Sequence, residues 1–419
     1  MRRGSLDEAI QLVDRKDTEL VALVREMLSI DTTNPPGREY ERMVDYLASH
    51  LRPLGFRNQR ILVPEAQWGS LPLPLAGPRV NLVSRRRYGG GREDITITAH
   101  LDTVPAGGDW TYKPFRGTIE LGRIYGRGVA DVKGAIASLL VAFEVLGQLR
   151  LPARYNVTLC LTTDEEVGGF PGSRELARRG FFKGHVLCLE GPQDPVEYVA
   201  AAGMVDVHVT TKGMACHTGV NHLGLNAVEE MLPILNELIA VKRDVEARPV
   251  PADVGVGAGP DAVRPTFTIS VIRGGEKSNV VPDRCTVIVN RRYAPDETQD
   301  AVVGEIAAAV QRGGARSRAE VTTEVLPGFP ALTIDLANPH AAKLRQARKL
   351  VCGYTDADFR RRAATHSYSL GFVQAITGRR DFYFLGLGRP ESHEHGLDEC
   401  CRLVDLKNLT KQLIYYLAA

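Results

Sequence analysis

The chain has 419 residues, more than one ordinary hydrophobic core accommodates, which argues for two domains. Hydrophobic residues make up 44% and charged residues 24%, the balance of a soluble globular protein. The formal net charge of +2 supplies no global field for nucleic acid or an anionic membrane, so neither is expected as a partner.

Residues 1–13 are charged and mixed and lack the apolar stretch of an export signal. No run of about 18 apolar residues is present to span a bilayer. The seven cysteines form no Cys-x-x-Cys pair, and several sit in apolar runs. These features predict a reduced, cytoplasmic protein without structural disulfides.

Residues 6–54 read as helical, with Leu20, Leu23, Val24 and Leu28 at helical spacing. Thr32-Thr33-Asn34-Pro35-Pro36-Gly37 breaks that run, and a second helix is expected over 39–51. The proline-rich stretch 64–78 reads as a surface loop. Strands are predicted over 95–99, 157–161 and 185–189. Between the first two lies a helix over 133–146, with Ile136, Leu139, Leu140 and Phe143 on one face. Alternating strands and helices predict an α/β sheet with helices on both faces.

From Met204 the rhythm changes to strand 205–211, helix 226–242, strands 266–272 and 285–292, helix 298–312 and strand 320–326. This β-α-β-β-α-β order is the ferredoxin-like split motif. It predicts a small α+β domain over 204–326, inserted into a larger one formed by 1–203 and 327–419. A helix over 339–351, a strand over 382–385 and a closing helix over 403–417 complete the chain.

In open α/β sheets, ligands bind beyond the carboxyl ends of the strands. Here each such end delivers a polar residue of metal-ligating type. The first strand runs into His100-Leu101-Asp102, the second into Asp164-Glu165-Glu166, the third into Glu190, and the last into a loop with His393 and His395. Asp131 precedes the 133–146 helix. Imidazole and carboxylate are the usual ligands of a hydrolytic zinc. Taken singly, each has a bland reading as a surface or loop residue. Burying the carboxylates together without cations would be costly, because like charges raise one another's pKa.

The chain resembles the acetylornithine deacetylase, succinyl-diaminopimelate desuccinylase, carboxypeptidase G and aminoacylase family of zinc hydrolases. The matching stretches are TTNPPG at 32–37, HLDTVP at 100–105, GRGVADVKG at 126–134, TTDEEVG at 162–168, Glu190, KGMACH at 212–217, NVVPD at 279–283 and HGLDE at 395–399. The resemblance implies a mixed, mostly parallel sheet of the zinc-exopeptidase type, with the inserted domain serving as lid and dimerisation domain. It implies two zinc ions per chain, with manganese or cobalt also fitting the donors. His100 and Glu190 would hold one ion, Glu166 and His395 the other, and Asp131 both. His393 is the competitor for His395, which is preferred because Glu399 follows it by four residues. Glu165 would be the general base, and Asp102 would fix the His100 tautomer.

The implied reaction is hydrolysis of an amide bond in a small, carboxylate-bearing substrate, with water acidified by the ions toward a pKa of about 7. The resemblance also implies a cis Asp131-Val132 peptide, an oxyanion contact from His217, a homodimer through the inserted domain, and substrate contacts from Arg292 and Asn279. Arg291 would point to the opposite face of its strand from Arg292. One loop departs from the family. Where relatives carry an aspartate, often with arginine after it, this chain reads Ala364-Thr365-His366-Ser367-Tyr368-Ser369-Leu370-Gly371. That leaves open an N-acyl amino acid deacylase, a short-peptide exopeptidase, or a hydrolytic deaminase or aromatic-amide hydrolase on the same fold. A catalytically silent binding protein would need an empty base or ligand position, and all are filled.

Overall fold

In the computed structural model, which describes residues 5–69, 71, 73–249, 264–364 and 366–418, helix formation begins at a capping box. The Ser5 side chain accepts from Glu8 N, and the Glu8 carboxylate accepts from Ser5 N, starting helix Leu6–Val13. Helices Asp17–Leu28 and Tyr40–Leu51 follow. The chain divides into two compact units. Met1–Tyr198, Ile334–Arg361 and Phe372–Ala419 form the first, and Val199–Thr333 with Arg362–Gly371 form the second.

The first unit is built on a six-stranded mixed sheet. Its strands lie in the order Arg57–Val63, Arg79–Arg86, Asn156–Thr162, Asp94–His100, His185–Cys188 and Phe382–Phe384. The last four are mutually parallel, and Arg79–Arg86 runs antiparallel to both its neighbours. The expected α/β class therefore holds. Helix Gly134–Gln148 is apolar almost all round because it packs among helices Leu403–Ala418, Leu6–Val13 and Asp17–Leu28.

Residue patterning shows no strand over Arg57–Val63 or Arg79–Arg86. The first is an edge strand whose polar residues stay largely exposed, and the second carries polar residues where a buried strand normally carries apolar ones. Arg79, Asn81 and Ser84 are nonetheless fully buried. Asn81 donates to Pro171 O and accepts from Thr163 N, and Arg79 donates to Ala76 O, Gly77 O and Pro36 O. Burial with these partners is affordable only in the folded chain, so hydropathy does not reveal it. Within the proline-rich stretch, Ser70 and Pro72 lie outside the described residues, and a short 3-10 turn forms at Glu65–Gln67. All seven cysteines are free.

At the amino end of strand His185–Cys188, the His185 ring stacks on His340 at 3.6 Å between centroids. Tyr155 and Tyr416 meet it edge-on, and Tyr383 is tilted against it. Glu93, Lys343, Arg379 and Asp381 are the charged groups around the pair. Burial, then the charges of His340, Lys343 and Arg379, push His185 down to about 3. A histidine depressed in the folded state contributes stability above its unfolded pKa of about 6.5, and that stability is lost as pH falls toward about 3. The expected outcome is a urea midpoint that falls below about pH 6, at up to about 1.4 kcal/mol per pH unit from this group. His185→Phe should have a shallower slope, and equal slopes in the two proteins would remove His185 as the cause.

The second unit carries a four-stranded antiparallel sheet in the order Thr266–Gly274, Arg284–Tyr293, Gly203–Lys212, Glu320–Val325. Helices Ala227–Glu246 and Gln299–Gly314 pack on it. The alternation of Arg284–Tyr293 buries Cys285, Val287, Val289, Arg291 and Tyr293 toward the helices. The sequence reading ends this segment at 326, whereas the unit continues to Thr333. The reason is local: Phe329 O accepts from Met204 N at 2.8 Å and from the Tyr293 hydroxyl at 3.0 Å. Residues 362–371 join the unit as well, where Arg292 donates to Ser367 Oγ at 3.0 Å.

Candidate metal centre

The carboxyl edge of the parallel strands gathers residues that lie far apart in the chain. His100 ends its strand and is buried. Its Nδ1 lies 2.9 Å from the backbone carbonyl of Asp102, and its Nε2 lies 2.9 Å from Asp131 Oδ1. The other oxygen of Asp131 lies 3.1 Å from His395 Nε2, which is also 3.2 Å from Glu166 Oε1. Ligand atoms of His100, Asp131 and Glu166 all fall within 4.8 Å of one another. The Asp131–Val132 peptide is cis. His393, the competing histidine, is exposed and has Asp398 as its charged neighbour.

Asp102 sits between His100 and the turn that carries Glu165 and Glu166. Its carboxylate oxygen is 3.6 Å from His100 Nδ1, beyond hydrogen-bond reach, and the backbone carbonyl makes the close contact instead. The carboxylate accepts from Glu165 N at 3.2 Å, Glu166 N at 3.1 Å and Asn34 Nδ2 at 3.0 Å. It thereby anchors the turn that carries both glutamates.

The donor set fits a cation. With Nδ1 of His100 donating to a carbonyl, a neutral ring turns its Nε2 lone pair on an Asp131 oxygen. That contact needs a positive charge between the two atoms. Asp131, Glu165, Glu166 and Glu190 are four carboxylates set against two imidazoles. Burial, then the charge of Glu190, holds Glu165 well above the usual carboxylate range. Burial, despite the pull of His100, brings Glu190 up to about 7. Bonds to Asp131 and Glu166 lift His395 to about 11.

Several residues that shape this site have a structural role that the motifs around them do not reveal. Glu399 is buried and accepts from Gly128 N at 2.9 Å, Ala130 N at 3.0 Å, Asp131 N at 3.3 Å and Arg127 Nη1 at 2.8 Å. It holds the backbone of the Asp131 loop. Gly128 has φ of +85°, and a Cβ there would lie 2.5 Å from Thr103 Cγ2. Lys133 is buried with its Nζ on Met27 O at 3.1 Å and Ile30 O at 2.9 Å, and burial brings it down to about 8. Behind Asp102, Asn34 also donates to Asp164 Oδ1 at 3.1 Å, and Arg79 Nε lies 3.2 Å from that oxygen. The TTNPPG and TTDEEVG motifs contain Asn34 and Asp164, but only the folded chain shows what they face.

The remaining expected site residues lie in the second unit. His217 is exposed and caps the short helix Thr218–Leu223, with Nδ1 accepting from Gly219 N at 3.0 Å. Asn279 is exposed beside it, its carbonyl accepting from Thr218 N at 3.2 Å. Arg292 is half-buried on the sheet face opposite Arg291, and Arg291 is fully buried against Glu297. His366 Nε2 lies 2.6 Å from the Tyr368 hydroxyl. Thr365 lies outside the described residues.

An imidazole and carboxylate cluster at the carboxyl edge of a mostly parallel sheet, half-buried around His100, is the site of a metal-dependent hydrolase. The chain belongs to peptidase family M20/M25/M40, whose model matches residues 96–419. It is 29% identical over 379 residues to succinyl-diaminopimelate desuccinylase of Alkalilimnicola ehrlichii, covering 87% of this chain and 90% of the relative. It is 23% identical to N-formyl-4-amino-5-aminomethyl-2-methylpyrimidine deformylase of Bacillus subtilis, over 97% of this chain and 95% of the relative. Human carnosine dipeptidase 1 shares the fold with a TM-score of 0.80 at 17% identity, covering 98% of both chains. The chain is thus a hydrolase of amide C–N bonds from a family that works with divalent metal ions. Among the described residues, no helix is long and apolar enough to cross a membrane.

Proposed function

We propose that this enzyme hydrolyses the amide bond of a small substrate bearing a carboxylate, an N-acyl amino acid or a short peptide, at a centre holding two zinc ions. The observation that carries this reading is Asp131 set between His100 and His395, with the half-buried Glu165, Glu166 and Glu190 close enough to shift one another's titration. Four carboxylates and two imidazoles gathered in one place form a donor set suited to two divalent ions. His100, Asp131, Glu166, Glu190 and His395 are the proposed ligands. When bound, the ions polarise the scissile carbonyl and acidify water.

Glu165 takes a proton from the attacking water as the new C–O bond forms. It returns that proton to the nitrogen as the C–N bond breaks, giving a carboxylic acid and an amine. Asp102 keeps Glu165 in place through the backbone of its turn. For the substrate we propose Arg292 as the carboxylate partner, since a guanidinium matches a carboxylate with two parallel donors. His217 is proposed to donate to the oxyanion and Asn279 to contact the substrate. A homodimer through the second unit and a cytoplasmic location complete the reading.

The activities of the relatives, a desuccinylase, a deformylase and a dipeptidase, favour an acyl or peptidyl amide without choosing among them. The test is elemental analysis joined to a hydrolysis screen of N-succinyl, N-acetyl and N-formyl amines and dipeptides, with and without a chelator. Two metal equivalents and chelator-sensitive release of an amine are expected. Amine release that survives metal removal would overturn the assignment. A fully active monomer in sedimentation would remove the dimer.

A further inference from the structure

The sheet of the first unit has a second polar end. Arg57 on the edge strand lies directly opposite Arg85, Arg85 opposite Thr158, and Thr158 opposite Thr96. Residues paired across neighbouring strands project from one face, so these four form a row across four strands. Lys183 joins the row at Thr96. Its N–H donates to Thr96 Oγ1 at 2.8 Å, and its carbonyl accepts from that hydroxyl at 2.8 Å. A groove of about 860 Å³ runs over this end, lined by Arg57, Arg85, Arg87, Lys183 and Thr158, with Asp94 the one acidic residue in it.

Like charges directly opposite one another weaken a strand pair, yet Arg57 and Arg85 face each other. Elsewhere on the same edge strand, Arg60 is met by Glu41 at 2.7 Å and Asp45 at 2.7 Å. Among the described residues, none of Arg57, Arg85, Arg87 and Lys183 is in an ion pair with a carboxylate. Arg85 is instead set over the Phe181 ring at 5.0 Å, which orients its guanidinium without neutralising it.

We propose that this groove binds a small, multiply charged anion of the polyphosphate class. Guanidinium forks match phosphate oxygens in pairs, and several cations spaced along a groove favour a ligand with several charges over one with a single charge. The volume lies within the range of about 300–1,000 Å³ usual for small-molecule sites. A single groove in a chain of net charge +2 is a poor track for an extended nucleic acid. The groove lies at the amino ends of the parallel strands and His100 at the carboxyl end. A strand of seven residues separates the two sites by about 20 Å, so the anion would not occupy the substrate's place.

The test is calorimetric titration of the metal-loaded full chain with inorganic tripolyphosphate in excess divalent metal, with the heat of each anion titrated into the same metal solution without protein subtracted. Saturable one-to-one binding is expected, with orthophosphate at least tenfold weaker. The double variant Arg57→Gln/Arg85→Gln should bind at least tenfold more weakly at unchanged hydrolysis. Lys183→Gln alone, an exposed change, should weaken binding severalfold and serves if the double variant does not fold. No saturable binding by the wild type, or equal binding by both variants, overturns the proposal. So does tighter binding of a single-stranded RNA oligonucleotide than of tripolyphosphate.

Discussion

Glu165→Ala is expected to lower kcat by about 10³-fold, inside the range typical of a lost general acid–base, while the metal content stays at that of the wild type. Glu165 opens the turn Glu165–Val167 at the end of strand Asn156–Thr162, and its backbone N–H is held by Asp102 Oδ1. The turn is therefore set by main-chain bonds and does not need the side chain. That separates chemistry from architecture, so removing the carboxylate should leave KM and the melting temperature nearly unchanged. The neighbouring Glu166, 3.2 Å from His395 Nε2, predicts the contrasting result, since Glu166→Ala should lose metal as well as activity. Elemental analysis and steady-state kinetics on the two variants separate the roles. If Glu165→Ala keeps more than a tenth of the wild-type kcat, the base is another group. If it loses metal as Glu166→Ala does, Glu165 is a ligand.

Glu399→Ala should produce the largest loss of stability of any single change near the site, about 3–5 kcal/mol, the cost of leaving a buried charge without its partner. Arg127 is buried and points Nη1 at Glu399, and the same carboxylate receives the N–H groups of Gly128, Ala130 and Asp131. Truncation orphans four donors in one place. Burial brings Glu399 up to about 7, so the measurement belongs near pH 8, where the carboxylate is ionised. Urea unfolding gives the stability, and metal titration gives the second readout, because the Asp131 backbone loses its anchor. A loss below about 1 kcal/mol, the size of an ordinary surface effect, would show that the loop is held by something else.

Glu399 shows how far residue patterning reaches. In the sequence it serves only as a marker four residues after His395. In the folded chain it is the acceptor on which the Asp131 loop is hung. Arg79 is a sharper case. Read along the chain, it begins a polar-looking stretch with no strand signal. It is in fact fully buried, its guanidinium between the rings of Tyr40 and Trp68 and its Nε on Asp164. Hydropathy scores a side chain by its own transfer cost and is blind to the partners that offset it.

The α/β class, the parallel strands, the main helices, the β-α-β-β-α-β segment and the placing of metal-type residues after parallel strands were legible in the chain, because alternation and helical spacing are local properties, whereas the strands Arg57–Val63 and Arg79–Arg86 were not. Which of those residues meet came only through the family resemblance, not through patterning. Asp131 stands between His100 and His395, and the Asp102 carboxylate accepts from the Glu165 and Glu166 backbone. The cations of the Arg57–Arg85 row share one groove and, among the described residues, form no ion pair with a carboxylate. Each of these depends on strand register and on loops returning from distant positions, and a polar residue is the same letter whether the fold gives it water, a partner or an ion.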